Sequence, residues 1–300
     1  MSKTCLTFLG AVLLLASSAE AGNCQFRVDP TNVVFGTYSV FGGGSLSTTS
    51  SYEIRCTPQT EGILTFTTGS NASTYFPRYM ANGANLIAYN LYDDAANSTV
   101  LGDNTGGTTA HVLFNGTPKD KDFVGTIYAS TPQGSNAPPG TYTDTVTAVL
   151  SWDNFARSTS VTFTVTTIVQ AECEVTTVPV NFGNYDPVAA HASSPLDATG
   201  RIDVYCTRTT LATVSLGNGQ NFAGGTRRMD GPPASFLNYQ LYRDAARSSI
   251  WSTAPNTRSG TSTSRLTPIG GGLTVYGRIP GGQDPLAGAY SDSVQATVNY

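Results

Sequence analysis

The residues with any capacity for chemistry are few. Paired carboxylates stand at Asp93-Asp94, with Asp244 in a similar setting, and such groups can act as general acid and base or hold calcium. Both settings belong to one recurring stretch, Tyr89-Asn90-Leu91-Tyr92-Asp93-Asp94-Ala95-Ala96 and Tyr239-Gln240-Leu241-Tyr242-Arg243-Asp244-Ala245-Ala246. The expected role is therefore a turn at the end of a strand, where Asp side chains bond nearby backbone. Asp144 and Asp292 also recur in matched surroundings and are expected to bond backbone or Tyr groups beside the last strand of each half. His111 and His191 are the two histidines, no CxxC occurs, and no zinc site is expected. There is no GxSxG, SxxK or HExxH element and no phosphate loop. The chain reads as neither an enzyme nor a cofactor carrier.

Cysteine is the exception to this sparseness. Apart from Cys5, the chain holds Cys24, Cys56, Cys173 and Cys206. Four cysteines allow three pairings, but each half holds one pair at nearly the same separation, 56 − 24 = 32 and 206 − 173 = 33 residues. Cys24–Cys56 and Cys173–Cys206 are the expected bonds, each contributing roughly 3.5–4 kcal/mol in the chain-entropy picture.

The elements that position these residues follow a processing signal over residues 1–21. Lys3 supplies a basic start, Leu6 to Ala16 an apolar run too short to span a bilayer, and Ala19-Glu20-Ala21 a small-x-small cleavage site. Export is expected, with a mature chain from Gly22 of about 280 residues, enough for two domains. Net charge is −4, with 31 Gly, 15 Tyr and 13 Phe; this argues against nucleic acid, which calls for a basic face, and suits a secreted all-β protein of short strands. Period-two runs of β-branched and aromatic residues place strands near Gln25–Val28, Val33–Phe35, Ser51–Thr57, Ile63–Thr68, Leu86–Asp93, Phe123–Ala129 and Tyr142–Trp152. Gly- and Pro-rich joints such as Gly42-Gly43-Gly44 and Pro138-Pro139-Gly140 separate them. The set reads as an immunoglobulin-like sandwich.

The set occurs twice. Phe35-Gly36-Thr37-Tyr38 returns as Phe182-Gly183-Asn184-Tyr185, Ile54-Arg55-Cys56-Thr57 as Val204-Tyr205-Cys206-Thr207, and Arg78-Tyr79-Met80 as Arg227-Arg228-Met229. Gly125-Thr126-Ile127 matches Gly277-Arg278-Ile279, and Gly140-Thr141-Tyr142-Thr143-Asp144 matches Gly288-Ala289-Tyr290-Ser291-Asp292. Offsets run from 147 (Phe35 to Phe182) to 152 (Gly125 to Gly277) in unchanging order, the mark of a tandem duplication. One element has no second copy. Ser158 to Glu172 puts Val161, Phe163, Val165 and Val169 on one side of an extended chain and Thr162, Thr164 and Thr166 on the other; the second half stops with its matching strand, Tyr290–Tyr300.

A cysteine, FGxY, a second cysteine, R-x-M, YxLYxDAA, GxI and a closing GxYxD together resemble the spore coat protein U domain, shared by pilins of archaic chaperone–usher pili. The resemblance covers essentially the whole mature chain, twice. It implies domains that lack a last strand and receive one from the extension ahead of the next subunit's first cysteine, where Ser158–Glu172 lies relative to Cys173. Residues 22–171 are then an adhesin-type domain completed by strand 158–171, and residues 172–300 a pilin-like domain awaiting a donor strand. Ahead of Cys24 only Gly22 and Asn23 remain, so the expectation is a subunit that accepts a strand and gives none, at the tip of the fibre. The implied partners are a periplasmic chaperone, an outer-membrane usher, the next pilin and an adhesion target, with attachment and biofilm formation as the outcome. A secreted spore-coat-type structural protein and a β-sandwich sugar-binding protein are the alternatives. Burial of Val161, Phe163, Val165 and Val169 is worth at most about 6–12 kcal/mol, comparable to the roughly 5–15 kcal/mol that holds a domain folded.

Strand direction places the free end of the first domain at the loops near Thr57–Gly62, Asp94–Asp122 and Trp152–Ser158. Trp152, Phe155, Val100, Leu101 and Phe114 are the candidate surface-contact residues there. Val40, Phe41, Tyr75, Phe76 and Pro77 are expected at the inter-domain end.

Overall fold

The computed structural model describes residues 22–57, 60–113 and 121–300; the expected signal segment and Phe114 lie outside them. Among the described residues the protein is all-β, with one 3-10 turn and no helix long and apolar enough to cross a membrane. The first half holds β1 (Cys24–Val28), β2 (Val33–Tyr38), β3 (Ser45–Cys56), β4 (Gly62–Phe66), β5 (Arg78–Asn82), β6 (Asn85–Tyr92), β7 (His111–Leu113), β8 (Lys121–Pro132), β9 (Gly140–Trp152) and β10 (Arg157–Val169). The second holds β11 (Cys173–Val178), β12 (Leu196–Cys206), β13 (Leu211–Leu216), β14 (Arg227–Asp230), β15 (Phe236–Tyr242), β16 (Arg258–Thr261), β17 (Leu273–Ile279) and β18 (Ala296–Asn299).

Alternation of apolar and polar residues decides which face of each strand is inside. In β9, Tyr142, Asp144, Val146, Ala148, Leu150 and Trp152 all point inward, with Thr141, Thr143 and Thr145 exposed between them. One sheet of the first half runs β1-β3-β8-β6; β6 also pairs β5, which leads to β9, β10 and β2, while β4 joins β9 and β7. The second half repeats the plan as β11-β12-β17-β15-β14 and a separate β16-β13-β18 sheet. Each half has its own apolar core, one around Tyr52, Ile54, Leu64, Phe66 and Ile87, the other around Val204, Val214, Leu241, Trp251 and Val275.

The expected disulfides are present: Cys24 is bonded to Cys56 and Cys173 to Cys206, in each case across directly opposed positions of the first strand and its neighbour. The last strand of the second half departs from expectation. Tyr290–Tyr300 carries the alternation of β9, yet only Ala296–Asn299 forms a strand, paired with β13. β9 is held straight by β10 along its whole length, from Trp152 opposite Arg157 to Gly140 opposite Val169; residues 288–295 have no such neighbour.

The two halves meet through side chains. The Glu172 carboxylate accepts hydrogen bonds from Ser39 Oγ (2.8 Å) and the Val40 N–H (2.6 Å). Arg208 donates to the Asn136 carbonyl (3.1 Å) and to Asn85 Oδ1, and the Arg265 N–H donates to Asn136 Oδ1 (3.0 Å). Val40 therefore lies at the inter-domain end, as expected. Tyr75, Phe76 and Pro77 do not: they precede β5, which runs toward the Asn82–Asn85 turn at the joint, so they sit at its far end.

Candidate functional site

Two positions in this fold could take an inserted strand, and they differ. In the first half the position is filled by β10, antiparallel to β9 and parallel to β2, with Val165 opposite Val33 and Val169 opposite Tyr38. Phe163, Val165 and Val169 are buried and Val161 packs against the same core from its edge. Phe163 stands edge-on to Phe66, ring centroids 6.4 Å apart. Thr167, which the alternation also turns inward, is equally buried; its hydroxyl donates to the Gly36 carbonyl at 3.0 Å. Its polar type hides it among the threonines of the strand, although the period-two spacing from Val165 to Val169 requires it to face inward.

In the second half the matching position is a groove of about 360 Å³ lined by Val178, Val180, Ile202, Leu216, Met229, Leu241 and Val275, with Tyr290, Asp292, Val294 and Ala296 on its other flank. Tyr142, Val146, Ala148 and Leu150, on β9 beside β10, are fully buried, whereas their counterparts Tyr290, Val294, Ala296 and Val298 are half-exposed. Residues 179–186, the counterpart of β2, form no ladder.

The frame around both positions is held by matched polar pins. Arg78 is buried, donating to the Thr67 carbonyl (3.0 and 2.9 Å), the Leu101 carbonyl (2.7 Å) and Asn90 Oδ1 (2.6 Å). Arg227 donates likewise to the Gly217 carbonyl (3.0 and 2.7 Å), the Trp251 carbonyl (2.8 Å) and Gln240 Oε1 (2.7 Å). Burial lowers both guanidinium pKa values from the ordinary range. Asp144 accepts from Ser70 N–H (2.8 Å) and Tyr89 OH (2.6 Å), and Asp292 from Gln220 N–H (2.8 Å) and Tyr239 OH (2.6 Å). Burial first, then the carboxylate, pushes both phenols well above their usual range. Gly69 and Gly219, at φ +89° and +81°, pass so close under these carboxylates that a Cβ would lie 2.0 Å from an Asp oxygen. Asp94 and Asp244 close the turns after β6 and β15 by accepting backbone N–H bonds from Ser98 and Thr99, and from Ser248 and Ser249. These carboxylates thus bond backbone and Tyr groups. His111 bridges Tyr52 OH and the Asp93 carboxylate amid the Phe66 and Phe123 rings. No group of three or more His, Cys, Asp or Glu residues among the described residues could hold a metal ion.

The candidate surface-contact residues separate. Trp152 is only 8% exposed, and Val100 and Leu101 are also buried; they are core residues, which corrects the expectation of a contact role. Trp152 keeps the inward phase of β9, while Val100 and Leu101 fold back by bridging Tyr92 and Thr109. Phe155 is 66% exposed, on a turn where Asp153, Asn154 and Phe155 all adopt positive φ. Val112 and Val124 are exposed at the same end, on β7 and near the start of β8. Nothing in their spacing marks them, since exposed Val is common in strands.

A duplicated immunoglobulin-like β-sandwich, one copy with its strand position filled and one with it open, defines the class. The Spore Coat Protein U domain matches residues 11–149 and 159–297, and the chain belongs to that family. The second match begins at residue 159, so by sequence β10 belongs to the second copy although it packs into the first. The chain is 35% identical over 134 residues to Protein U of Myxococcus xanthus, covering 40% of this chain and 71% of that protein. Its fold is similar to a chain in the crystal structure of the CsuC–CsuE chaperone–tip adhesion subunit pre-assembly complex from archaic chaperone-usher Csu pili of Acinetobacter baumannii, with a TM-score of 0.55 and 16% identity, covering 93% of this chain and 100% of that chain.

Proposed function

We propose that this protein is the tip subunit of an archaic chaperone–usher pilus, mediating surface attachment and biofilm formation. Residues 22–171 form the attachment domain, completed within the chain by β10. Residues 172–300 form the connector, whose groove accepts a strand from the next pilin, delivered by a periplasmic chaperone and exchanged at an outer-membrane usher. The observation that carries this reading is β10 itself: a strand that begins the second family copy, closes the first, and has no equivalent in the groove of the second. The named tip subunit complex of similar fold supports the same position. At the end remote from the joint, Phe155, Val112 and Val124 offer an apolar contact patch to the target surface.

Scanning calorimetry of the mature chain tests this. Two transitions are expected, and an excess of a peptide with the sequence of residues 158–172 raises the lower one, because a ligand bound only to the folded state stabilises it by mass action. A single transition that ignores the peptide would mean the second half is already complete.

A further inference from the structure

The joint between the two halves, compared with the corresponding end of the second half, points to what docks there. The two places share their tyrosine pins. Tyr38 OH donates to the Pro132 carbonyl (2.8 Å) and accepts from the Ser135 N–H (3.0 Å); Tyr185 OH donates to the Pro280 carbonyl (3.1 Å) and accepts from the Gln283 N–H (3.1 Å). Tyr142 OH reaches the Pro138 carbonyl at 2.9 Å as Tyr290 OH reaches that of Leu286 at 2.7 Å. Gly134 and Gly282, four residues short of Pro138 and Leu286, share a positive φ, +87° and +76°. The loop from Gly134 to Pro138 thus matches that from Gly282 to Leu286, with Asn136 in the place of Asp284; Ser39 and Val40 follow Tyr38 as Asp186 and Pro187 follow Tyr185, after which the second half makes a longer turn whose His191 carbonyl takes the Gly282 N–H as the Ser39 carbonyl takes that of Gly134.

The groups that receive the incoming segment differ between the two. In the first half an acid directly ahead of a cysteine, Glu172, is held by a hydroxyl and a backbone N–H, from Ser39 and Val40. In the two residues that follow Tyr185 the hydroxyl becomes a carboxylate, and proline has no N–H to donate. Asp186 is exposed, its Oδ1 accepting from Val188 N–H and Ala189 N–H, both at 3.0 Å. Asn136, whose carbonyl and side chain receive Arg208 and Arg265, becomes the exposed Asp284. Two neutral receiving positions are replaced by two negative charges.

We propose that the open end of the second half prefers a following subunit whose residue directly ahead of its first cysteine is basic over one with an acid there, as this chain has at Glu172. The inference rests on the strand-acceptor reading above and adds the chemistry of the partner. Asp186 attracts a cation and repels a carboxylate at the place where the inserted strand leaves the groove, and Asp284 favours a basic residue in the role of Arg208. The same chain's Ser158–Glu172 segment is then the poorer donor for a second copy, a bias against joining to itself in series.

The test uses the intact mature chain and two amidated peptides, one with the sequence of residues 158–172 and one with Lys in place of the final Glu. At low salt the Lys peptide is expected to bind about three- to tenfold more tightly, as attraction replaces repulsion at an exposed site. The preference shrinks at high salt and disappears in D186N, while D284N, beyond the reach of these peptides, leaves it unchanged. Equal binding, tighter binding of the Glu peptide, or a preference that survives D186N overturns the inference and leaves the groove reading standing. If neither peptide binds, the groove reading falls and takes the inference with it.

Discussion

Replacing Phe163 by Ala probes whether β10 is an integral strand of the first half. Phe163 is 2% exposed, inside a core that also contains Val165, Val169 and Phe66. Truncating such a ring removes its buried area and leaves a cavity, together about 3–5 kcal/mol, a large part of the roughly 5–15 kcal/mol available to one domain. For a unit of about 150 residues this corresponds to a fall in melting temperature of about 10 °C. Thr164→Ala, on the exposed side of the same strand, is the control, with a change within about 0.5 kcal/mol. Both variants are followed by calorimetry and by guanidinium unfolding of the mature chain. Phe163→Ala should lower only the transition of the first half. If it costs no more than Thr164→Ala, or lowers the transition of the second half instead, β10 does not complete the first half and the reasoning fails.

Other expectations follow from the same contacts. Arg78→Met leaves the Thr67 and Leu101 carbonyls and Asn90 Oδ1 without their buried donor, at a cost of about 3 kcal/mol or more, and Arg227→Met should do the same to the second half, each read as the shift of one transition. Asp197 accepts from Arg278 at 2.7 and 2.9 Å and pairs with Arg247 at 3.2 Å; the Arg278 hydrogen bonds, opposed by partial burial and helped by the Arg247 charge, hold its pKa below the ordinary value. Because the folded pKa is the lower one, this stabilisation is present above about pH 4 and is lost as pH falls through the folded value; the urea midpoint of the second half should therefore decline less between pH 5 and pH 2 in D197N than in the parent chain. Phe155→Ser, at an exposed turn, should leave both transitions in place while reducing retention on an apolar surface, and unchanged retention would exclude Phe155 from the contact.

How far the primary sequence alone carries can be judged element by element. Cysteine spacing within each repeat was enough for the disulfide pairs, because a duplicated chain folds twice by the same rules and two cysteines opposed in one copy are opposed in the other. Period-two alternation in β10 and β9 was enough to say which side chains face inward, since neighbouring residues of a strand point to opposite faces whatever lies beyond. It could not say what lies against a face. Trp152 and Phe155 are three residues apart, yet one is core and the other exposed, because the strand ends between them and the turn reverses the chain. Leu101 reads as a loop residue and is buried because its segment closes back on β6. Tyr290–Tyr300 has the pattern of β9 and remains mostly outside regular pairing, since a ladder needs a neighbour as well as an alternation. The replacement of Ser39, Val40 and Asn136 by Asp186, Pro187 and Asp284 is written in the sequence, but only the folded joint reveals that those positions meet Glu172, Arg208 and Arg265. Local pattern determined the longer strands of the first half, their faces and the disulfides, and passed over the short β5 and β7; long-range packing decided which strand each half keeps and which it lacks, because pairing between segments far apart in the chain depends on where the whole fold brings their backbones.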